Sequence, residues 1–373
     1  MRHPIPTLFA TTLIALSPIV GTAQVRVETS VLFESYSFED GLGYSDASEF
    51  SLPFTVSFPL GGRARFTASS ILTRVMLTAS EGSDDIEDMS GLTDTEFRLA
   101  VDVLPERLVF IASAAIPTGI ESIEAEQGPV LGVLVTDVLG FSTRSLGSGG
   151  NAGVGFAGGV PLGRMALGVA GTYQKFGSFE PILGGSNLLK PAPEFRIRAG
   201  IEGPAGTSSY LRLAGVVSRR GSDEINGESL SSSGNRYVGY ASLSQGIGNT
   251  ELMVYGFDLY RSSAQIESSA LGAGVVPKGN LLTGGAQLTI PLANDTRATP
   301  RVEIRSSSQA PAGSTSLAKL GSSIRFGADI RQRLTGNAML VIEAGGLVGG
   351  IEAADGNVGV TGYRFGAHLQ VSH

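Results

Sequence analysis

The stretch GYRFGAHLQV, residues 362–371, alternates two kinds of side chain along its whole length. The apolar and aromatic set comprises Tyr363, Phe365, Ala367, Leu369 and Val371. The intervening set comprises Arg364, Gly366, His368 and Gln370. A period of two predicts a β-strand with two unlike environments. The rest of the chain must indicate whether the apolar face meets a protein core or lipid.

Charged residues of both signs alternate with apolar residues in further segments, including 96–103, 194–202, 301–305 and 320–331. In a membrane barrel the apolar face contacts lipid and the charged face lines the lumen. A set of charged side chains is therefore expected to line a solute path. It comprises Arg98, Arg196, Arg198, Arg301, Glu303, Arg305, Arg325, Asp329, Arg364 and His368. These side chains could act as a selectivity filter or pair with one another and stiffen the barrel; both alternatives predict ion pairs.

Seven short turn signals recur along the chain, and longer polar connections alternate with them. The turns lie at 60–62, 104–106, 161–163, 203–206, 246–249, 293–295 and 335–337. The long connections lie at 39–48, 78–90, 119–149, 177–193, 221–234, 262–278, 307–318 and 350–356. This alternation predicts an all-β chain that forms an antiparallel transmembrane β-barrel of about 16 strands (range 12–16), with both termini on the periplasmic, short-turn side. A soluble β-protein and a solenoid are the alternatives. A solenoid would require a sequence motif that recurs at fixed positions in each repeat, and the chain has none.

The first 23 residues are typical of a secretory signal peptide, with Arg2 near the start, an apolar stretch over 8–20 and the small-residue exit Gly21-Thr22-Ala23. Cleavage is expected before Gln24, and a buried first helix is the alternative. The predicted organisation is a signal peptide at 1–23 and a barrel at 24–373. The chain has no cysteine, which excludes a disulfide framework and thiolate metal sites. With a net charge of -7 and no basic stretch, no nucleic-acid partner is predicted.

The connection at 119–149 contains GPVLGVLVTDVLGF, which is too apolar for a solvated loop and too short for a membrane helix of about 20 residues. We expect this segment to fold into or across the barrel mouth as a short helix and to offer an apolar surface to a solute. Packing on the rim or at a subunit contact is an equal alternative. The predicted constriction comprises Val130, Leu131, Leu134, Val138, Leu139 and Phe141.

Two acidic loops and the histidines are the other candidates for chemistry. The loop EGSDDIED (81–88) offers Asp84, Asp85, Glu87 and Asp88 as oxygen ligands, but their spacing does not match a calcium loop. A solvated acidic tip is favoured there and in DEINGE (223–228), so no metal and no other cofactor is predicted. After the predicted cleavage site only His368 and His373 remain, and we expect His368 to join an ion pair or hydrogen bond rather than act as a base. No enzyme activity is predicted.

Three motifs carry a family resemblance: GLTDTEFRLAVDVL (91–104), AIPTG (115–119) and LGSGG (146–150). Together they resemble the outer-membrane transporter family of the phenol-degradation meta-pathway type, relatives of the long-chain fatty-acid and aromatic-hydrocarbon channels. The matching positions are Gly91, Asp94, Pro117, Thr118, Gly119, Leu146, Gly147, Ser148 and Gly149, while Thr93 replaces a glycine of the family pattern. The resemblance implies passage of small hydrophobic compounds across the outer membrane.

The segment at 362–371 also resembles the C-terminal recognition signal of outer-membrane proteins, through Arg364, Gly366, Leu369 and Val371. Ser372 and His373 stand in place of the usual terminal aromatic residue. The expected partners are therefore the barrel-assembly machinery, outer-membrane lipid and lipopolysaccharide, and a small-molecule solute. The predicted function is passive uptake of small, hydrophobic or aromatic solutes through a channel in the cell outer membrane. A structural or adhesive barrel whose lumen is filled by side chains is the alternative.

Overall fold

The computed structural model describes residues 25–82, 86, 88–232, 234–268, 272–293, 295–311, 314, 316–354 and 356–372. The predicted signal peptide at 1–23 lies outside the described residues, as do Asp84, Asp85, Glu87 and His373. Within these ranges the chain forms a closed barrel of sixteen antiparallel strands. The predicted fold class and strand number are confirmed.

The barrel strands β1 to β16 follow one another around the wall in chain order. Their bounds are Arg26–Phe38, Tyr44–Leu60, Ala64–Ala79, Met89–Leu92 with Thr95–Leu104, Leu108–Ile116, Asn151–Leu162, Met165–Phe176, Glu194–Pro204, Ser209–Arg220, Arg236–Ile247, Thr250–Arg261, Gly279–Pro291, Thr296–Gln309, Ala318–Thr335, Ala338–Ala353 and Gly356–Ser372. β4 thus has two segments. The barrel closes where β1 pairs with β16, with Glu34 opposite Arg364 and Phe33 opposite Phe365. Closure gives every strand two hydrogen-bonded neighbours, as a strand in hydrocarbon requires.

The two faces of each strand separate as the alternating sequence predicts. On β16, Tyr363 and Phe365 are 47% and 53% exposed on the outer face. Arg364 and His368 lie on the opposite face, where Arg364 donates to Glu343 and His368 shares a hydrogen bond with Ser30. Outer-face rings also meet across strands: the ring centroids of Phe33 and Tyr363 are 5.9 Å apart. The stretch at 362–371 therefore has a protein interior on its polar side and an exposed apolar surface on the other.

The seven predicted short turns all connect barrel strands at one end, the short-turn rim. Most of the predicted long connections lie at the other end, the long-loop rim, but two predictions were too long. The connection predicted at 350–356 is wrong: β15 ends at Ala353 and β16 begins at Gly356, and Glu352 pairs with Asn357. The connection predicted at 39–48 is shorter because β2 begins at Tyr44. At the rim the polar side chains of these residues can remain in solvent while their backbone stays in the strand. Strand pairing therefore continues through them, because it gives the backbone hydrogen-bond partners.

Short strands within the loops stand outside the barrel wall. The hairpin of Ser222–Ile225 with Glu228–Ser232 is joined by Leu189–Lys190, and Ala264–Ser268 pairs with Gly272–Val276. The helical elements that the structure describes are a 3-10 turn at Ala125–Gln127 and the helix α1 at Gly128–Leu134. No helix in the described ranges is long and apolar enough to cross a membrane.

A hydrophobic core lies inside the barrel near the long-loop rim. The strands β1 to β4, β15 and β16 contribute inward side chains, and the connection between β5 and β6 contributes the rest. The wall residues include Tyr36, Ala47, Val75, Leu347 and Val360, all at most 3% exposed. The barrel therefore does not enclose an empty tube. One part of its lumen is packed, and the contacts of the packing segment define the candidate site.

Candidate functional site

Residues 117–150, here called the inward loop, leave the wall after β5 and return at β6. Pro129 lies at the first turn of α1, where its missing amide hydrogen breaks no helical bond. The Glu124 amide donates to Gln127 Oε1 at 3.1 Å and completes a capping box for the preceding 3-10 turn. Val130, Val133 and Leu134 of α1 are at most 1% exposed. The predicted short helix is present, and it packs inside the barrel.

Asp94 holds the two ends of the inward loop together. Its Oδ1 accepts a hydrogen bond from the Gly119 amide at 3.2 Å, and its Oδ2 accepts bonds from the Ser148 amide and hydroxyl at 2.9 and 2.8 Å. Asp94 is free to do so because β4 is interrupted here. Thr93 bridges the interruption, since its Oγ1 accepts from the Ile71 amide at 3.1 Å. The three sequence motifs that contain Asp94, Gly119 and Ser148 therefore meet at one carboxylate. We call this meeting point of the two loop ends the root of the loop.

Close approach of the chain explains two glycines at this root. The Ile120 amide donates to the Leu146 carbonyl at 3.0 Å, so the outgoing and returning segments lie side by side. A Cβ on Gly119 would lie 2.1 Å from the Leu146 oxygen, and one on Gly147 would lie 2.5 Å from the Ile120 oxygen. Neither position has room for a side chain, since backbone atoms form the obstacle.

Two buried glutamates bind the far part of the loop. Glu34 Oε2 accepts bonds from the Ser142 amide and hydroxyl at 2.8 and 2.9 Å. Glu49 accepts from the Thr143 amide at 3.1 Å and from its hydroxyl at 2.5 Å. Both glutamates are 1% exposed. Buried carboxylates need partners, and here the loop supplies them.

Four successive carbonyl groups of the loop, at 137–140, accept hydrogen bonds from the wall. Arg305 donates to Asp137 at 3.5 Å, Ser323 to Val138 at 2.9 Å, Tyr36 to Leu139 at 3.3 Å and Arg325 to Gly140 at 3.2 Å. The Asp137 side chain also accepts from Arg261 at 2.5 Å. The donors belong to β1, β11, β13 and β14. The loop therefore crosses the lumen from the β5–β6 side and is fixed on the far side by its backbone.

The residues predicted to form the constriction lie in this loop and inside the barrel, but their side chains are covered. Val130, Leu134 and Leu139 have no measurable exposure, and Val138 and Phe141 are 2% exposed. Leu131 packs against the same core while partly exposed. The Phe141 ring meets the Tyr36 ring edge-on, with centroids 4.8 Å apart. These side chains therefore fill one part of the lumen.

Four of the ten predicted lumen residues, Arg301, Asp329, Arg364 and His368, lie in one network on β13 to β16 and β1. Glu343 accepts bonds from Arg301 at 3.0 Å and from Arg364 at 2.9 Å. Arg364 also lies 3.4 Å from Glu34, so the network reaches the carboxylate that binds Ser142. Asp329 lies 3.7 Å from Arg301. Because these groups are partly or fully desolvated, removal of one partner leaves an uncompensated charge.

Glu303 and Arg305 form a second pair beside this network. Arg305 Nε donates to Glu303 Oε1 at 2.7 Å, and Tyr255 Oη donates to Glu303 Oε2 at 2.7 Å. Glu303 lies directly opposite Arg325 across β13 and β14. Its carboxylate is nevertheless engaged elsewhere. Arg325 has no ion-pair partner among the residues that the structure describes.

Three predicted lumen arginines lie apart from these networks. Arg196 donates to Glu194 Oε1 from Nη2 at 2.5 Å and to Ser218 at 3.2 Å. Arg198 borders a smaller pocket in the wall with Glu202 and Arg212. Arg98 lines a separate cavity of about 760 Å³ whose other charged residues are Arg26, Glu28 and Arg65. The same cavity is bordered by Ser372, the last residue of β16, so Arg98 lies toward the short-turn rim.

His368 lies between a hydroxyl and a carboxylate. Its Nδ1 is 2.7 Å from Ser30 Oγ, and its Nε2 is 3.6 Å from Glu343 Oε1. The order resembles a serine–histidine–acid triad. The acid is too distant for a hydrogen bond and is held by Arg301 and Arg364. The arrangement fits a hydrogen-bonded member of the charge network.

A cavity of about 490 Å³ lies beside the wall residues that hold the inward loop; most of its lining faces the lumen, and Phe326, Ala344, Gly346 and Tyr363 of the outer face also border it. Its lining includes Tyr240, Met253, Tyr255 and Phe257 from β10 and β11, and Gln287 from β12. The opposite part of its lining is charged and comprises Arg301, Glu303, Arg305, Arg325, Glu343 and Arg364. Tyr36, Arg305 and Arg325 belong both to this lining and to the donors that hold the loop. Wall residues therefore line the cavity, and these three side chains lie between it and the loop that they hold.

The acidic loops show no assembled metal site within the described part of the chain. Asp88 pairs with Arg74 at 2.9 Å. Asp223 accepts from the Ala192 amide at 2.6 Å, and Glu224 pairs with Lys190 at 2.9 Å. Asp223 and Glu224 thus connect neighbouring loops. The remaining predicted ligands, Asp84, Asp85 and Glu87, lie outside the described residues.

Several residues of the site were not predicted from sequence: Glu34, Tyr36, Glu49, Asp137, Ser142, Thr143, Tyr255 and Glu343. The alternating pattern does place Glu34 and Glu49 on inward faces among apolar neighbours, and Ser142-Thr143 follows directly on the apolar run. A buried acid facing a hydroxyl pair was therefore a usable signal. Its partner could not be found, because 108 residues separate Glu34 from Ser142.

The closed sixteen-stranded wall with a segment folded inside it places the chain among barrels of the outer-membrane type. Three solved structures are similar in fold. OccAB3 of Acinetobacter baumannii has 7% identity and a TM-score of 0.50, covering 95% of this chain and 100% of the other. OpdK of Pseudomonas aeruginosa, solved with vanillate, has 10% identity and a TM-score of 0.47, covering 94% and 99%. OmpT, an outer-membrane protein of Vibrio cholerae, has 8% identity and a TM-score of 0.46, covering 95% and 99%.

At these identities the similarity concerns the fold alone. No protein-family model and no curated protein matches the chain. The resemblance to the phenol-degradation transporter family therefore stays a prediction.

Proposed function

We propose that this chain is an outer-membrane channel for passive uptake of small hydrophobic or aromatic solutes. The observation that carries the proposal is the cavity of about 490 Å³ beside the inward loop. Its volume is within the range of about 300–1,000 Å³ that is common for small-molecule sites. Tyr240 and Phe257 are direct cross-strand neighbours in its lining, and two adjacent rings suit a flat apolar solute.

The same proposal places the barrel in the outer membrane after export with the segment 1–23 as signal peptide. Its outer face would then contact lipid and lipopolysaccharide, the assembly machinery would read the C-terminal strand, and the short-turn rim would face the periplasm. The arginines and carboxylates of β13 to β16 would flank the solute path. Their mutual pairing would keep this wall rigid, and the inward loop would narrow the lumen to the part bordered by β10 to β16.

A structural or adhesive barrel is the second candidate. The observation that favours it is the core formed by the inward loop, where Val130, Leu134 and Leu139 are completely covered. If the remaining cavity does not continue through the lumen, the barrel is sealed and its loops are the functional surface.

Flux through proteoliposomes separates these two functions. The purified full-length barrel would be reconstituted, and entry of benzyl alcohol and of a small neutral sugar would be followed by light scattering. If the barrel is a channel, each solute enters proteoliposomes faster than it enters protein-free vesicles. After the rate in protein-free vesicles is subtracted, the rate for benzyl alcohol should exceed the rate for the sugar. A sealed barrel gives no excess for either solute. Planar-bilayer current provides an independent readout, because a sealed barrel also gives no conductance steps.

A further inference from the structure

We infer that the cavity beside the inward loop binds aromatic carboxylates, with Arg325 as the group that binds the anion. The inference rests on the proposed function and specifies the solute class. Its first observation is the charge of the lining. Four arginines border the cavity, and carboxylates lie within ion-pair distance of Arg301, Arg305 and Arg364 but not of Arg325.

Three of the four arginines are already paired. Arg301 and Arg364 both bind Glu343, and Arg305 binds Glu303. Arg325 differs from them. Its Nη2 donates to the Tyr36 hydroxyl and the Gly140 carbonyl, both at 3.2 Å, and both acceptors are neutral. Its Nε is buried without a hydrogen-bond partner. Within the described ranges, no carboxylate forms an ion pair with this guanidinium.

The neighbouring acid forms no hydrogen bond with Arg325 in this arrangement. Glu303 lies opposite Arg325 in the strand register, yet its two oxygens accept from Arg305 and Tyr255. A partly desolvated guanidinium with only neutral acceptors favours a bound anion. Arg325 lines the cavity, so a solute bound there can supply the anion.

The uncharged part of the lining determines which group can accompany the carboxylate in the ligand. Tyr240, Met253 and Phe257 present two rings and a thioether from adjacent strands on the lumen face. Rings stack on rings, and methionine sulfur also packs well on aromatic edges. A planar ring with a carboxylate on one edge satisfies both parts of the cavity. A neutral ring leaves Arg325 without its counter-charge, and a small aliphatic acid leaves the rings without a partner.

Calorimetry on the folded full-length barrel in detergent tests this inference with three probes: benzoate, benzyl alcohol and acetate. We expect benzoate to bind at least tenfold more tightly than either of the others. Arg325→Gln should weaken benzoate binding at least tenfold and leave benzyl alcohol unchanged. Arg331→Gln is the matched control, because Arg331 lies on the same strand and face but does not line the cavity. It should bind benzoate as the native chain does.

Arg325 also holds the inward loop, so folding of each variant would be checked by its heat-dependent mobility on gels. Phe257→Ala gives a second route that leaves the loop contacts intact: it should weaken benzoate binding several-fold and leave acetate unchanged. Equal binding of benzoate to native chain, Arg325→Gln and Phe257→Ala overturns the inference. So does equal affinity for benzoate and benzyl alcohol.

Failure of the inference is distinguishable from failure of the proposed function. Calorimetry reports binding whether or not the barrel conducts. Conductance without selective benzoate binding rejects the aromatic-carboxylate site and keeps the channel. Selective benzoate binding without conductance or flux keeps the site and rejects the channel.

Discussion

The carboxylate of Glu34 on the first strand accepts two hydrogen bonds from Ser142, one from the amide at 2.8 Å and one from the hydroxyl at 2.9 Å. Thr143 forms the equivalent pair with Glu49 on the second strand. The four consecutive carbonyl groups at 137–140 accept hydrogen bonds from wall side chains. The segment 137–143 is thus bound to the wall along its whole length. The inward loop is therefore a fixed part of the lumen wall.

The double variant Ser142→Ala, Thr143→Val removes both hydroxyl donors to the buried glutamates. We expect a lower free energy of unfolding, by about 1–3 kcal/mol for each acceptor that loses a partner. We also expect a higher single-channel conductance, because a loosened loop leaves more of the lumen open. Unfolding in urea and bilayer current measure the two effects. Ser145→Ala is the control, since the Ser145 hydroxyl bonds only locally, to the Gly147 carbonyl. A double variant with native conductance contradicts a constricting role for the loop.

Asp94→Ala should detach the root of the inward loop, because it removes the acceptor of three hydrogen bonds from Gly119 and Ser148. The expected result is cleavage within 117–150 by an added protease at a rate at least tenfold above native, since opening of the loop precedes cutting. Mass spectrometry of the fragments gives the sites. Asp102→Ala is the control: this exposed carboxylate near the short-turn rim has no hydrogen bond among the described contacts. Native resistance in Asp94→Ala would show that the distal contacts alone hold the loop.

Gly119→Ala tests the close approach at the same root. A Cβ there would lie 2.1 Å from the Leu146 carbonyl oxygen, and both groups are backbone, so relief requires movement of the chain. We expect a loss of about 1–3 kcal/mol in unfolding free energy, as for overpacked sites. Gly171→Ala is the control, because a Cβ at Gly171 has no neighbour within 4 Å. Equal unfolding midpoints for the two variants would contradict the crowding.

The sequence predicts the wall well and the lumen contents poorly, for a physical reason. Alternation along a strand, as at Arg364 and Phe365, is a local property that lipid and lumen impose on neighbours two residues apart. Short turns such as 335–337 are equally local. The contact of Glu34 with Ser142 depends on where a long loop comes to rest, and neither residue carries a pattern that identifies the other. The predicted connection at 350–356 was wrong because polar residues near a rim suit both a loop and a strand continuing into water.

The two faces of β7 offer a direct test of which side meets hydrocarbon. Val169 is 52% exposed on the outer face, whereas Thr172 lies on the inner face opposite Gly155 of β6. An arginine facing lipid near the bilayer midplane costs about 2–4 kcal/mol, and one facing an aqueous lumen costs far less. Val169→Arg should therefore lower the unfolding free energy in phospholipid vesicles by about 2–4 kcal/mol, with little change for Thr172→Arg. Urea titration of both variants in vesicles measures this difference. Equal unfolding free energies for the two variants would mean that hydrocarbon does not cover the outer face of β7. The assignment of Val169 to a lipid-facing position would then be wrong.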